Sequence, residues 1–140
     1  MLGRLLSHFR GPATPSWVLI VEDDSFLKPL LTKIIQSIDP VLTIRWVSTV
    51  AGARKELEIG LPALMIVDCL LGPEESGLQL WKDCCDRKIE VPFLLLTGLG
   101  AEALRGLSSS GRRGLPAVVQ KPFKVPELQA QLRKMLKKSA

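Results

Sequence analysis

One stretch decides the fold: LMIVD at residues 64–68, an apolar run that ends in a carboxylate. Consecutive apolar residues without polar alternation are typical of a strand buried on both faces, as in a parallel sheet. Gly72 and Pro73 predict that the chain turns soon afterwards. In α/β folds an acid at the carboxyl end of such a strand lies where ligands bind. However, a strand-ending Asp also commonly caps the next turn, so that Asp68 has two candidate roles.

Similar runs recur along the chain and alternate with helical patterns. They predict strands at residues 17–21, 42–47, 93–96 and 117–119, with 42–47 at a sheet edge. Helical spacing, capping residues and stop signals predict helices at 26–38, 48–59, 77–87 and 101–107, and from 126 onward. No hairpin signal separates the strands. The sequence therefore predicts an α/β fold in which helices cover both faces of a parallel sheet.

Three helices carry more specific expectations. In the first, Phe26 and Leu30 extend the apolar stripe and are expected to face the core, while Pro29 predicts a late or loosened first turn. In the third, Leu78 and Cys85 lie on one stripe together with Trp81. The last helix is expected to bury Leu128, Leu132 and Met135, with Leu136 as a further candidate.

Composition limits the class of protein. The chain has 140 residues, 46% of them hydrophobic and 24% charged, which fits one folded domain with a proper core. No apolar run approaches the roughly 20 residues of a membrane span, and residues 1–16 lack the continuous apolar core of a secretory signal. Three cysteines, an odd number, favour reduced thiols and a cytoplasmic location over a disulfide framework or zinc site.

Charge and histidine content exclude further functions. The net charge is +5, with basic residues at 112–113 and 133–138, but no aromatic residues are interleaved with them. A solvated helix end explains such a run, so nucleic-acid binding is not expected. His8 is the single histidine and lies in the least structured part of the chain, which argues against mechanisms that need a histidine base.

Residues 1–16 are expected to be a flexible N-terminal extension that precedes a domain over 17–140. Gly3, Gly11, Pro12 and Pro15 are typical of mobile sequence. A different feature lies inside the extension, where apolar residues have the spacing of a short amphipathic helix: Leu2, Leu5, Leu6 and Phe9. Such a helix could dock on the domain or on a partner, although eight residues are marginal in isolation.

Polar residues follow four of the predicted strands. Glu22 and Asp23 follow the first strand, Asp68 ends the third, Thr97 the fourth and Lys121 the fifth. The carboxyl ends of parallel strands share one edge of the sheet, so these side chains are expected to converge in one crevice. Each also has a plainer reading, as a capping acid, a strand-end hydroxyl or a solvated lysine. Their joint occurrence at strand ends is much harder to obtain by chance.

This set of groups suits phosphoryl chemistry. Two carboxylates about 4 Å apart repel by about 4 kcal/mol at an effective dielectric constant of about 20, and Mg²⁺ offsets this repulsion with hard oxygen ligands. A carboxylate can attack phosphorus to form an aspartyl phosphate. The ammonium of Lys121 and the hydroxyl of Thr97 can each contact a phosphoryl oxygen.

Four motifs resemble the receiver domain of two-component response regulators: VEDD at 21–24, VD at 67–68, LTG at 96–98 and KPF at 121–123. The resemblance covers about residues 17–138. It implies a flavodoxin-like, doubly wound, five-stranded parallel sheet in the order 2-1-3-4-5 with five helices. It also implies that a histidine kinase or phosphotransfer protein donates a phosphoryl group to an aspartate.

The resemblance implies a role for each matching residue. Asp68 is the implied phosphoacceptor, Thr97 the switch hydroxyl and Lys121 the partner of a phosphoryl oxygen, preceding a cis peptide bond to Pro122. The implied Mg²⁺ ligands are Asp23 directly, Glu22 through water, Asp68, and the backbone carbonyl of Leu70. The domain would catalyse its own phosphorylation and dephosphorylation without being a turnover enzyme on an external substrate.

Three features of the sequence depart from the family pattern. Gly72 stands where the family usually has proline, and Gly77 comes nine rather than eight residues after Asp68, which predicts a loop one residue longer. Val118 replaces the usual switch aromatic, which puts the coupling of Thr97 to an aromatic swing in question. Residues 108–114 read as a flexible loop, so the output face is expected to be altered or mobile.

These departures keep an alternative function open, a receiver-fold module that signals by docking with phosphorylation secondary. An aspartyl hydrolase is disfavoured because Leu70 occupies the position of its second acid. Expected partners are a downstream target or effector domain, and a homodimer is a further option. No effector sequence follows residue 138, so that the chain is expected to be a stand-alone receiver or one cut from a larger protein. Leu70 and Leu99 add bulk near an attacking water, which predicts a long-lived phosphoryl group.

Overall fold

The structure, a computed structural model, describes residues 17–71, 76–100 and 116–139. Strands and helices alternate in the described part: β1 Trp17–Val21, α1 Leu27–Ile38, β2 Thr43–Val47, α2 Val50–Ile59, β3 Leu64–Asp68, α3 Gly77–Asp86, β4 Phe93–Thr97, β5 Ala117–Gln120 and α4 Val125–Ser139. The extension at 1–16, the helix predicted at 101–107 and the loop predicted at 108–114 lie outside the described residues. Four of the five predicted helices are therefore described.

The five strands form one parallel sheet in the order β2-β1-β3-β4-β5, as the resemblance implies. β3 lies at the centre and is buried along its whole length. β2 lies at one edge, as its sequence predicts. The parallel register aligns the carboxyl ends of the strands, with Asp68 opposite Leu96 and Thr97 opposite Gln120. The α/β fold predicted from the alternating pattern is confirmed.

The sheet separates two apolar layers. Ile66 and Leu94 point into the layer shared with α1 and α4, while Val67 and Leu95 point into the layer shared with α2 and α3. Successive residues of a strand face opposite sides, so a central strand that is covered on both sides needs apolar residues at every position. This requirement explains the unbroken run of β3, and it fixes Asp68 at a rigid point.

The start of α1 differs from the prediction. The helix begins at Leu27, and Phe26 lies in the preceding turn with 90% of its surface exposed, so its predicted burial is wrong. The carboxylate of Asp24 accepts the Phe26 N–H at 2.9 Å and stabilises this turn. The first turn begins late, as Pro29 predicts, and the proline becomes the third helical residue, where the N–H group has no helical partner in any case. Leu30 is also exposed, which makes the buried stripe narrower than predicted.

α3 and α4 test the remaining burial predictions. In α3 the buried cysteine is Cys84, four residues after the buried Leu80, and the predicted Cys85 is only half-buried. Burial raises the pKa of the Cys84 thiol to about 11. In α4, Leu128, Leu132 and Met135 are buried as predicted, whereas the further candidate Leu136 is only half-buried. Among the described helices, none has the length and apolar character to cross a membrane.

Candidate functional site

The structure brings the predicted polar residues together at the carboxyl edge of the sheet. Glu22 and Asp23 follow β1, and Asp68 is the last residue of β3. One carboxylate oxygen from each of these three acids lies within 4.8 Å of the others. Three carboxylates at this spacing repel one another strongly in a partly buried site. The cluster therefore favours a cation between them.

Lys121 supplies part of that positive charge. It follows β5, and its ammonium donates a hydrogen bond to Glu22 Oε1 at 3.1 Å. The same Nζ lies 3.5 Å from Asp68 Oδ1. The peptide bond from Lys121 to Pro122 is cis, as the resemblance implies. The phosphoryl contact of Lys121 stays a prediction, and the structure shows its ammonium between two carboxylates.

Burial divides the acids into different environments. Glu22 is 1% exposed, whereas its neighbour Asp23 is exposed to solvent. Burial, followed by the hydrogen bond with Asp68, raises the pKa of Glu22 to about 7, although Lys121 opposes the shift. Burial alone would lower the pKa of Lys121, but the hydrogen bond to Glu22 and the charge of Asp68 raise it overall. The site thus holds a carboxylate that is costly to ionise beside a firmly charged lysine.

This raised pKa predicts that the metal-free protein becomes less stable as the pH rises from 5 to 8. Between the ordinary value of 4.5 and about 7, folded Glu22 retains a proton that the unfolded chain releases, so unfolding is favoured as the pH increases. The contribution is at most about 3 kcal/mol, because one pKa unit corresponds to about 1.4 kcal/mol. Urea denaturation in EDTA measures it, and Glu22→Gln should flatten the profile. An equal slope in the two proteins would contradict the prediction.

The backbone after Asp68 forms a tight support for its side chain. Asp68 Oδ1 accepts the Leu70 N–H at 3.3 Å, and the Cys69 N–H donates to the Leu96 carbonyl at 2.8 Å. The Leu70 side chain is 56% exposed beside the cluster. The Cys69 carbonyl accepts the N–H of Gly77 at 2.8 Å, which ties the start of α3 to the end of β3. These contacts hold the Asp68 carboxylate at the mouth of the crevice.

Thr97 lies on the neighbouring strand and is fully buried. Its hydroxyl oxygen accepts the Leu99 N–H at 2.9 Å, and its carbonyl accepts the Lys121 N–H at 2.7 Å. Thr97 therefore connects the loop after β4 to the lysine. Val118, at the position of the family's switch aromatic, is half-buried against the α2 and α3 layer.

Gly77 helps to shape the site, although no role was predicted for it from the sequence. Gly77 is the first residue of α3, and a Cβ atom there would come within 3 Å of the Asp68 carbonyl oxygen and of Val67 Cγ1. The glycine therefore allows α3 to approach the strand that carries Asp68. The sequence signal for this close approach is a glycine at the start of a predicted helix, where no turn requires glycine.

Comparisons with known proteins agree with this geometry. Residues 18–133 match the family described as the response regulator receiver domain. Among curated relatives, Protein PetR of Rhodobacter capsulatus is 34% identical over 128 residues, covering 90% of this chain and 51% of the relative. The phosphate regulon transcriptional regulatory protein PhoB of Rhizobium meliloti is 30% identical over 132 residues, covering 87% and 52%. The chain thus spans about half the length of these relatives.

Solved structures share the fold at low sequence identity. A CheY-like response regulator receiver domain protein from Methanospirillum hungatei has a TM-score of 0.74 at 18% identity, with 90% of this chain and 97% of that chain covered. A sensor protein from Polaromonas sp. JS666 has a TM-score of 0.73 at 21% identity, with 90% and 98% covered. Because the family match spans β1 through most of α4, the chain belongs to the receiver-domain family of two-component response regulators.

Proposed function

We propose that this receiver accepts a phosphoryl group on Asp68 from a phosphohistidine of a sensor kinase or phosphotransfer protein. The observation that carries the proposal is the cluster of Glu22, Asp23 and Asp68, whose carboxylate oxygens lie within 4.8 Å of one another beside the Lys121 ammonium. In the transfer, an Asp68 oxygen forms a bond to phosphorus and the bond from phosphorus to the imidazole nitrogen breaks. The imidazole keeps the electron pair.

The donor set fits Mg²⁺. All three acids offer hard oxygen ligands, and the exposed side of Asp23 leaves room for the waters that Mg²⁺ retains. Asp23 and Asp68 are the proposed direct ligands, together with the backbone carbonyl of Leu70, and Glu22 acts through water. When bound, Mg²⁺ neutralises charge on the transferring phosphoryl oxygens. Asp68 itself is held in place by the Leu70 N–H.

Lys121 and Thr97 have proposed roles as sensors of the new charge. The Lys121 ammonium lies 3.5 Å from Asp68 Oδ1 and can exchange its contact with Glu22 for one with a phosphoryl oxygen. The Thr97 hydroxyl can exchange the Leu99 N–H for a phosphoryl oxygen by rotation about one bond. Movement of the loop after β4 would follow, because the Leu99 N–H loses its acceptor.

We propose that a downstream protein or an effector domain responds to the rearrangement of Lys121, Thr97 and the loop after β4. The curated relatives include transcriptional regulators, and the matches cover about half of their length. A docking role with phosphorylation secondary is supported by one specific observation. Val118 fills the place of the switch aromatic and lies half-buried in the α2 and α3 layer, so it cannot report on Thr97 by an aromatic swing.

A Mg²⁺ and beryllofluoride titration followed by amide NMR tests the proposal. Beryllofluoride should shift the amides of residues 68–70 and 97–99 only when Mg²⁺ is present. Asp23→Asn should weaken Mg²⁺ binding by at least about tenfold because it removes a direct charged ligand. Asp86→Asn, an exposed acid at the end of α3, is the matched control and should bind normally. The absence of a response in the wild-type protein would favour the docking function.

The proposed function predicts slow loss of the phosphoryl group. Leu70, 56% exposed, lies two residues after Asp68 and Leu99 lies two residues after Thr97, and neither apolar side chain can orient an attacking water. Leu70→Asn should shorten the half-life of the aspartyl phosphate by about tenfold, since a positioned amide can hold that water in reach. Leu61→Asn, at an exposed leucine before β3, is the control. Timed loss of radiolabel measures both, and equal half-lives would contradict the prediction.

A further inference from the structure

A groove of about 510 Å³ lies between α1 and β2 and contains none of the site residues. Along one wall, α1 presents Lys28, Thr32 and Gln36, which follow one another at intervals of four residues. The opposite wall consists of residues 41–44 and Trp46 of the edge strand and the loop before it. This feature is called the α1/β2 groove.

The α1/β2 groove has an apolar floor and a polar wall. Leu42 forms part of the floor and is buried, whereas Val41 is 74% exposed on the rim. At the far end the Lys28 ammonium lies 5.8 Å from the centre of the Trp46 ring, a cation–π distance. An amphipathic helix has the matching surface, because its apolar face can cover Val41 and Leu42 while its polar face stays in water.

The first described residue of the chain, Trp17, lies beside this groove. β1 begins at Trp17, and Trp17 pairs with Thr43, which lines the groove. Leu2, Leu5, Leu6 and Phe9 have the i, i+3, i+4, i+7 spacing of one helical face. A helix over 2–9 is about 11 Å long. This length is similar to that of the groove wall, since Lys28 and Gln36 are about 12 Å apart along α1. The seven residues at 10–16 can span about 23 Å, which is ample for the return.

We propose that residues 2–9 form a helix that docks its apolar face into the α1/β2 groove of the same molecule. Eight residues are marginal as an isolated helix, so the groove supplies the stabilising contacts. Docking also covers the outer edge of β2, and a bare strand edge invites pairing with other chains. The proposal is independent of the proposed phosphoryl chemistry, since it involves neither Asp68 nor its neighbours.

Limited trypsin digestion of the full chain, followed by mass spectrometry, tests this docking. Arg4 lies inside the proposed helix and Arg10 lies beyond it. Early in digestion, cleavage after Arg4 should be about tenfold slower than in the Leu6→Ala/Phe9→Ala variant, because cleavage tracks the undocked fraction. The Ser7→Ala/His8→Ala variant alters the opposite face and should keep the protection. Equal cleavage after Arg4 in all three proteins would overturn the proposal.

Variants of the groove identify where the helix docks. Val41→Asp should release the protection of Arg4, whereas Ile59→Asp, at a residue equally exposed at 74% but at the end of α2, should not. Both positions are exposed, so neither change is expected to disturb folding. If Val41→Asp leaves Arg4 protected, the helix docks elsewhere and the proposal is wrong. If the protection disappears on dilution, the groove holds a second copy of the chain and the intramolecular form is also wrong.

Discussion

Asp68→Asn protein is expected to take up no phosphoryl label from acetyl phosphate or a phosphorylated kinase, a loss of at least about 1,000-fold. The amide cannot act as the nucleophile, and Asp68 is the acid that both faces the Lys121 ammonium and ends the central strand. Incorporation that is labile to alkali and to hydroxylamine, measured by filter binding or intact mass, gives the comparison. The expected effect is larger than that of any other substitution in the cluster, because the other residues assist a bond that Asp68 makes.

Two controls separate loss of the nucleophile from loss of the fold. Replacing one of three crowded carboxylates removes repulsion, so metal-free Asp68→Asn protein should be at least as stable as wild type in urea. Asp86→Asn, on the exposed end of α3, should take up label normally. Retention of most of the label in Asp68→Asn would transfer the acceptor role to Asp23 or Glu22 and would contradict the assignment.

The second large effect concerns stability. Gly77→Ala is expected to lower the free energy of unfolding by about 3 kcal/mol, at the upper end of the usual cost of overpacking. The new Cβ would lie within 3 Å of the Asp68 backbone, and backbone atoms cannot move aside as a flexible side chain can. α3 must therefore shift away from β3, which also breaks the hydrogen bond from the Gly77 N–H to the Cys69 carbonyl.

Gly60→Ala is the matched control for this change. Gly60 follows α2 in an extended conformation, and a Cβ there has nothing within 4 Å. Its replacement should leave stability unchanged or raise it by up to about 1 kcal/mol, through the lower entropy of the unfolded chain. Urea unfolding of both variants measures the difference. A Gly77→Ala protein as stable as the Gly60→Ala protein would show that α3 is free to move.

The sheet could be predicted from sequence because a strand that is buried on both faces has an uninterrupted run of apolar residues. β3 and β4 are covered by helices on both sides, so each of their interior positions is apolar. The convergence of Asp68, Thr97 and Lys121 followed from the same pattern, since parallel strands present their carboxyl ends at one edge. Local capping was equally readable, as the Thr49 side chain accepting the Gly52 N–H at the start of α2 shows.

The remaining features depend on contacts between distant residues. Lys121 and Glu22 are 99 positions apart, and nothing local in either sequence indicates that they pair. Adjacent Glu22 and Asp23 differ in burial because successive residues leaving a strand point in different directions. The sequence predicted burial of Cys85, but Cys84 is the buried cysteine. Both residues fit an apolar stripe, and only the packing of α3 on the sheet determines which one is buried.

Peptide mapping tests directly whether the crowded acids make Asp68 the phosphoryl acceptor. Wild-type protein is treated with acetyl phosphate with and without Mg²⁺, reduced with borohydride to convert the aspartyl phosphate to homoserine, and digested. We expect one modified residue, Asp68, formed only with Mg²⁺. Modification at another residue, or none at Asp68 under conditions that saturate Mg²⁺ binding, would contradict it.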